Sequence, residues 1–171
     1  LVVDARYEKI RINHQVVSQG VLLVVGIGSD GYREILGTWV ADSENETSWS
    51  EVFKELKERG LKGVRYVVSD DHAGLVKAIG RHFQGVLWQR CQVHFVRNLC
   101  SQVSKKDRPR IIEMLREITT AQTYATARKR MDEAIEVLAK LHPKVAKILE
   151  ENGEDILTVY QLPVWQRRGM K

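Results

Sequence analysis

The stretch Val64-Arg-Tyr-Val-Val-Ser-Asp70-Asp-His-Ala-Gly-Leu75-Val-Lys-Ala-Ile-Gly-Arg-His-Phe83 decides the fold class, because its period changes at Asp70. Residues 64–69 are a short β-rich run. From Ala73 the apolar residues Leu75, Val76 and Ile79 take up helical spacing. Gly85 breaks that helix, Val86-Leu-Trp88 reads as another short strand, and residues 91–103 are amphipathic again. Upstream, Ser43 or Asn45 caps a helix running to about Arg59. Its apolar residues Trp49, Val52, Phe53 and Leu56 fall at i, i+3, i+4 and i+7, and Gly60 stands where a left-handed residue ends a helix. Before it, Leu1-Val-Val-Asp4, residues 16–28 and residues 33–40 read as strands, with Asp30-Gly31 as a hairpin turn. The middle strand is apolar enough to be covered on both faces. Three antiparallel strands followed by helix, strand, helix, strand and helix predict an α/β fold with a mixed sheet.

From Lys105 to about Asn152 the strand signal disappears. Helices are expected over 111–118, 124–141 and 144–149, with Pro109 and Pro143 near their starts and Gly153 closing the region. Residues 156–162 read as extended, and Pro163 ends them. The 171 residues, 43% apolar and 29% charged, suit one globular domain with an insertion. The longest apolar run, residues 21–27, is far short of the roughly 20 residues of a membrane span. Two cysteines make no disulfide framework and point to a reducing, cytoplasmic location.

Charge is unevenly distributed. Residues 1–60 carry 7 Lys/Arg against 10 Asp/Glu, and the remainder carry 20 against 12. Arg90, Arg97, Lys105, Lys106, Arg108, Arg110, Arg116, Arg128, Lys129 and Arg130 face only Asp107, Glu113 and Glu117 within 90–130. That excess suits a polyanion, nucleic acid above all, although solvated helices are also often basic.

Two aspartates are placed for chemistry. Asp4 is expected to close the first strand and Asp70 the fourth, and neighbouring strands would bring both to the carboxyl end of the sheet. Hard oxygen donors there suit Mg²⁺ or Mn²⁺, a pair of which about 4 Å apart drives phosphodiester attack. The plainer reading is that Asp70 or Asp71 caps the following helix. Cys91 and His94, three residues apart, share a helix face, but a structural zinc needs four ligands; the only other cysteine is Cys100, and His72 and His82 are the nearest candidate histidines. The pair therefore reads as a buttress for the acidic site or as core packing, and Asp71 and His72 as its supporting neighbours. Trp39, Trp49 and Trp88 fit the core by position, whereas Trp165 is a candidate contact for DNA or for the segment expected to follow.

In order along the chain, Leu1-Val-Val-Asp4-Ala-Arg-Tyr-Glu-Lys, Val17-Ser-Gln, Asp42-Ser-Glu, Val68-Ser-Asp70-Asp-His-Ala-Gly-Leu75 and Trp88-Gln-Arg-Cys-Gln-Val-His-Phe-Val-Arg-Asn-Leu99 resemble the Mutator-type transposases of prokaryotic insertion sequences. Val159-Tyr-Gln-Leu-Pro with Trp165 resembles them loosely, and His82 and Gln84 depart from the family signature. The resemblance implies a ribonuclease H-like five-stranded mixed sheet flanked by helices, with an all-helical insertion. Its catalytic core would begin over 1–104, the insertion would cover 105–155, and 156–171 would return toward the core. It further implies an acidic triad of two Asp and one Glu binding two Mg²⁺ or Mn²⁺. Asp4 and Asp70 match the aspartates, and Cys91 and His94 match the family's Cys-x2-His. The family's glutamate lies beyond Trp-x-Arg, so this chain is expected to be an incomplete core.

The function implied is metal-dependent hydrolysis and strand transfer at transposon ends, with DNA as partner, a homodimer in the intact protein, no membrane, and a prokaryotic, nucleoid-associated cytoplasmic location. Arg90, Arg97, Lys105, Lys106, Arg108, Arg110, Arg128, Lys129 and Arg130 are the DNA-contact candidates. Two alternatives stand beside this reading. One is a non-catalytic DNA-binding or dimerisation fragment of a transposase. The other is a nuclease drawing a third carboxylate from Glu34 or Asp42.

Overall fold

The computed structural model describes Leu1–Met170, the side chain of Ile12 excepted. The chain divides into two compact units, Leu1–Trp88 and the residues from Gln89 onward.

The first unit opens with an antiparallel meander of β1 (Val2–Ile12), β2 (Gln15–Ile27) and β3 (Arg33–Ala41). Asn13 and His14 take φ of 49° and 64°, the left-handed pair that closes a two-residue hairpin with the right twist. This turn corrects the expectation that Asp4 closes the first strand. β1 runs on in continuous register with β2, from Val2↔Val25 to Ile12↔Gln15, and Asp4 is its third residue. A second correction concerns β2, whose Gly20, Leu22 and Val24 are buried in alternation with less buried neighbours. One face only is fully covered. Leu22 and Val24 share a core with Val3, Val67, Trp49, Phe53, Leu75 and Ile79, so the helices of this unit bury one side of the strand.

Of the two cap candidates, Asn45 rather than Ser43 is the N-cap of helix α1 (Glu46–Glu58), which starts in a capping box. Asn45 Oδ1 accepts from the Ser48 amide at 2.9 Å, and Ser48 Oγ accepts from the Asn45 amide at 3.0 Å. Gly60 follows its end at φ 103°. The four buried residues of β4 (Tyr66–Ser69) lie parallel to β1, in register at Val2↔Val68. Helix α2 (Ala73–His82) and strand β5 (Leu87–Arg90) follow. The strand order β3-β2-β1-β4-β5 is a five-stranded mixed sheet flanked by helices, the α/β architecture expected.

The second unit contains α3 (Gln92–Ser101), α4 (Arg108–Thr119), α5 (Tyr124–Leu141) and α6 (Pro143–Asn152). Phe95, Leu99, Ile111, Leu115, Ile118, Met131, Leu138 and Leu149 form its core. The expectation of an extended segment over 156–162 is not met. The chain instead makes three short 3₁₀ turns, Gly153–Ile156, Thr158–Gln161 and Val164–Gln166. Ile156, Leu157 and Val159 are all buried, which a half-buried strand with alternating faces does not allow. Side-chain amides stand in for a ladder: Gln92 Nε2 donates to the Ile156 carbonyl at 3.0 Å, and Gln89 Oε1 accepts from the Val159 amide at 2.7 Å. No helix among the described residues is long and apolar enough to cross a membrane.

Candidate active site

Because Val2 pairs with Val68 on parallel strands, Asp4 and Asp70, each two residues farther on, stand at one level of adjacent chains. Both are partly buried, and Asp71 beside them is exposed. Asp70 lies one residue past β4. Its Oδ1 accepts the His72 amide at 3.1 Å, a local turn that leads the chain into α2. Asp70 thus serves the turn before the helix, while α2 itself has His72 at its N-cap and no side-chain cap bond. The end of β4 is tied from the side by Trp88, whose Nε1 donates to Ser69 Oγ at 2.9 Å.

Gly74 explains how the two helix starts come together. A Cβ there would lie 2.6 Å from the Glu46 amide nitrogen and 2.8 Å from the Asn45 carbonyl carbon, so only glycine lets backbone meet backbone. Across this contact lies a residue to which the sequence reading assigned no role. Glu44, immediately before the α1 cap, has a side chain only 7% exposed. Its Oε1 accepts from Trp49 Nε1 at 3.0 Å and lies 3.7 Å from His72 Nδ1. Its amide donates to Tyr7 Oη at 3.0 Å. Burial pushes the Glu44 carboxyl above the usual glutamate range. The Trp49 bond and His72 pull it down, and the charges of Asp70 and Asp4 push it up. The available signal was its position, last before the cap of an amphipathic helix that follows an outer strand.

The other carboxylates weighed for a third role lie elsewhere. Glu34 is exposed on β3, which β2 separates from β1. Asp42 is exposed, and its Oδ1 accepts from Gln19 Nε2 at 3.0 Å. Among the described residues no three His, Cys, Asp or Glu side chains converge closely enough to hold a metal ion. The donor chemistry of the Asp4–Asp70 pair, two hard carboxylates at one level, nevertheless suits Mg²⁺ or Mn²⁺.

Cys91 and His94 belong to the second unit, where Cys91 is the N-cap residue of α3 and both are partly exposed. The basic candidates sort by burial and pairing. Arg90 is 3% exposed with its guanidinium over the Phe95 ring, inside the unit rather than on its surface. Arg108 donates to the Cys100 carbonyl at 3.1 Å. Arg128 pairs with Asp132 and Glu154, Lys129 with Glu133, and Arg130 donates to the Glu117 carbonyl. Arg97, Lys105, Lys106 and Arg110 are exposed. Trp165 is 73% exposed.

A family described as "Transposase, Mutator family" matches residues 1–171. The chain is 39% identical over 171 residues to the transposase for insertion sequence element ISRM5 of Rhizobium meliloti (strain 1021), covering all of this chain and 43% of that protein. It is 37% identical over 157 residues to the transposase for insertion sequence element IS256 in transposon Tn4001 of Staphylococcus aureus, covering 91% of this chain and 40% of that protein. To the transposase for insertion sequence element IS1081 of Mycobacterium tuberculosis (strain ATCC 25618 / H37Rv) it is 34% identical over 169 residues, covering 98% and 41%. The chain thus spans about two fifths of the length of these curated relatives.

Proposed function

The chain belongs to the Mutator family of transposases, and on that premise we propose that it carries the first two acidic residues of a catalytic centre for DNA transposition. The observation that supports this reading is the parallel pairing of Val2 with Val68, two residues before Asp4 on β1 and before Asp70 just past the end of β4. Asp4 and Asp70 would hold Mg²⁺ or Mn²⁺. Divalent ions so held supply activation of water or a 3′-hydroxyl and stabilisation of the leaving oxygen in phosphodiester attack. Two like charges side by side in a partly buried site repel each other, and a cation relieves that repulsion. The His72 amide holds one oxygen of Asp70, so this carboxylate meets its ligand already oriented. By its resemblance to the family, the site would take its third carboxylate from a glutamate that follows the Trp-x-Arg segment.

The helical unit is read as the insertion domain and as a DNA-contacting surface. Arg97, Lys105, Lys106 and Arg110, exposed on that unit, neutralise phosphates without reading sequence. The intact protein would act as a homodimer on transposon ends and target DNA in the cytoplasm of a prokaryotic cell. A second reading, a non-catalytic DNA-binding or dimerisation fragment, draws on the lack of three convergent donors among the described residues.

The test is Mn²⁺-dependent nicking of labelled DNA by this chain, by a version extended through the family's glutamate, and by Asp70→Ala in each. Activity that appears on extension and vanishes in Asp70→Ala is the expected result. Salt-sensitive DNA binding with no nicking in any version selects the binding fragment. Equal nicking without the extension moves the third carboxylate inside these residues.

A further inference from the structure

Glu44 is costly where it stands. Its side chain is more than nine-tenths covered, lies near two other carboxylates, and accepts a hydrogen bond from the Trp49 indole. A buried acid among acids is unfavourable unless partners offset the cost, which points to a task for its charge that a neutral side chain would not perform. An acceptor for Trp49 alone could equally be the amide oxygen of a glutamine.

The contacts around Glu44 form a short relay toward Asp70. Trp49 Nε1 holds Glu44 Oε1 at 3.0 Å, and the same oxygen faces His72 Nδ1 at 3.7 Å. That nitrogen is buried and has no hydrogen-bond partner within bonding distance, so the Glu44 carboxylate is the charge it faces. The His72 main-chain N–H in turn holds Asp70 Oδ1 at 3.1 Å. Gly74, two residues on, locks the arrangement by letting the α2 start touch the α1 start at Asn45 and Glu46. Carboxylates that hold a metal are themselves held by hydrogen bonds from surrounding groups, the part the His72 amide plays for Asp70.

We infer that Glu44 is a positioning residue of the acidic pair, anchoring His72 so that the His72 amide keeps Asp70 Oδ1 engaged and leaves Oδ2 to a divalent cation. The inference rests on the reading of Asp4 and Asp70 as the cation-holding pair. Glu44 contributes through orientation and charge, without touching the substrate.

The test is Mn²⁺ binding by the whole chain, followed by titration calorimetry or by the paramagnetic signal of free Mn²⁺, with thermal melting in parallel. Glu44→Gln keeps the size of the side chain and an acceptor for Trp49 but removes the charge. It is expected to weaken Mn²⁺ binding about tenfold without lowering the melting temperature. His72→Ala, or His72→Gln should the alanine variant not fold, is expected to weaken it similarly. Glu44→Asp is expected to recover part of the loss. Because both residues act on one oxygen, the double variant should bind no worse than the weaker single one. Binding by Glu44→Gln within twofold of the parent, while Asp70→Asn abolishes it, overturns the inference alone. So does a loss in Glu44→Gln with none in the His72 variants, or a loss accompanied by a lowered melting temperature. A parent chain that binds no Mn²⁺ overturns the cation reading of the aspartate pair, and this inference with it.

Discussion

In the sheet unit Glu44 is 7% exposed and lies within reach of the charges of Asp4, Asp70 and His72. In the helical unit Arg128, 39% exposed, divides its guanidinium between Asp132 at 2.9 Å and Glu154. The first arrangement gathers like charges and hides them. The second spreads opposite charges over a wet surface, in pairs such as Lys129–Glu133 and Lys147–Glu151 along single helices. Surface pairs contribute little to stability and cost little to keep. A buried acidic group does neither: it strains the fold and persists where a ligand will neutralise it. The comparison teaches that the overall charge of this chain says less about its chemistry than the depth at which each charge is held.

The largest test of this contrast removes the packing under the buried group. Phe53 is fully buried, stacked on Trp49 at 5.8 Å between ring centroids, and Trp49 is the donor to Glu44. Phe53→Ala should cost about 3–5 kcal/mol, read by denaturant unfolding. A cost near that of an exposed-residue change would show that the site does not depend on this core.

Gly74→Ala comes next. The new Cβ would press on the Asn45–Glu46 backbone, which cannot rotate away as a side chain can. About 1–3 kcal/mol of destabilisation is expected, with weakened hydrogen-exchange protection at the first turn of α1. Removing the cap that sets the same helix start, Asn45→Ala, should cost about 1 kcal/mol, since it leaves the Ser48 amide without its acceptor.

The sharpest discrimination is one of sign. The carboxyl of Glu44 is raised in the folded state, chiefly by burial. The folded state therefore binds its proton more tightly than the unfolded chain does. That contribution is fully present below the ordinary glutamate range and is lost as pH rises through the raised value. Glu44→Gln, carrying no charge to bury, should melt higher than the parent at pH 7, and the gap should close on acidification. A variant that melts lower at neutral pH would place Glu44 among ordinary stabilising residues. The smallest effect belongs to the other side of the comparison: Arg128→Ala, despite losing two pairs, should change stability by about 0–1 kcal/mol, and by less as salt is added.

Much of this was legible in the residues themselves. The 3.6-residue spacing of Trp49, Val52, Phe53 and Leu56 places α1, and Asn45 is one of the two residues able to cap it. Tyr124–Leu141 has the bounds its apolar pattern predicts. The pair Asp4 and Asp70 was visible as carboxylates bordering β-rich runs. The length of β1 was not, because its second half alternates polar and apolar residues and depends on a turn at Asn13 and His14. Ile156, Leu157 and Val159 were misread as extended because a short apolar run is ambiguous in period and the core around it decides its conformation. Arg90 belongs to the basic excess by composition, but it is buried over the Phe95 ring, which charge counting does not show.

The sequence by itself determined the order of elements as far as residue 152, the approximate positions of the helices and the family, because periodicity, caps and motif spacing are local properties written along the chain. Only the tertiary structure decided that Asp4 and Asp70 stand level, that Gly74 brings two helix starts into contact, and that Glu44 is the carboxylate behind them. Those facts join residues 4, 44, 70 and 74 through strand register and close packing. Neither of these follows from the neighbours of a residue in the chain.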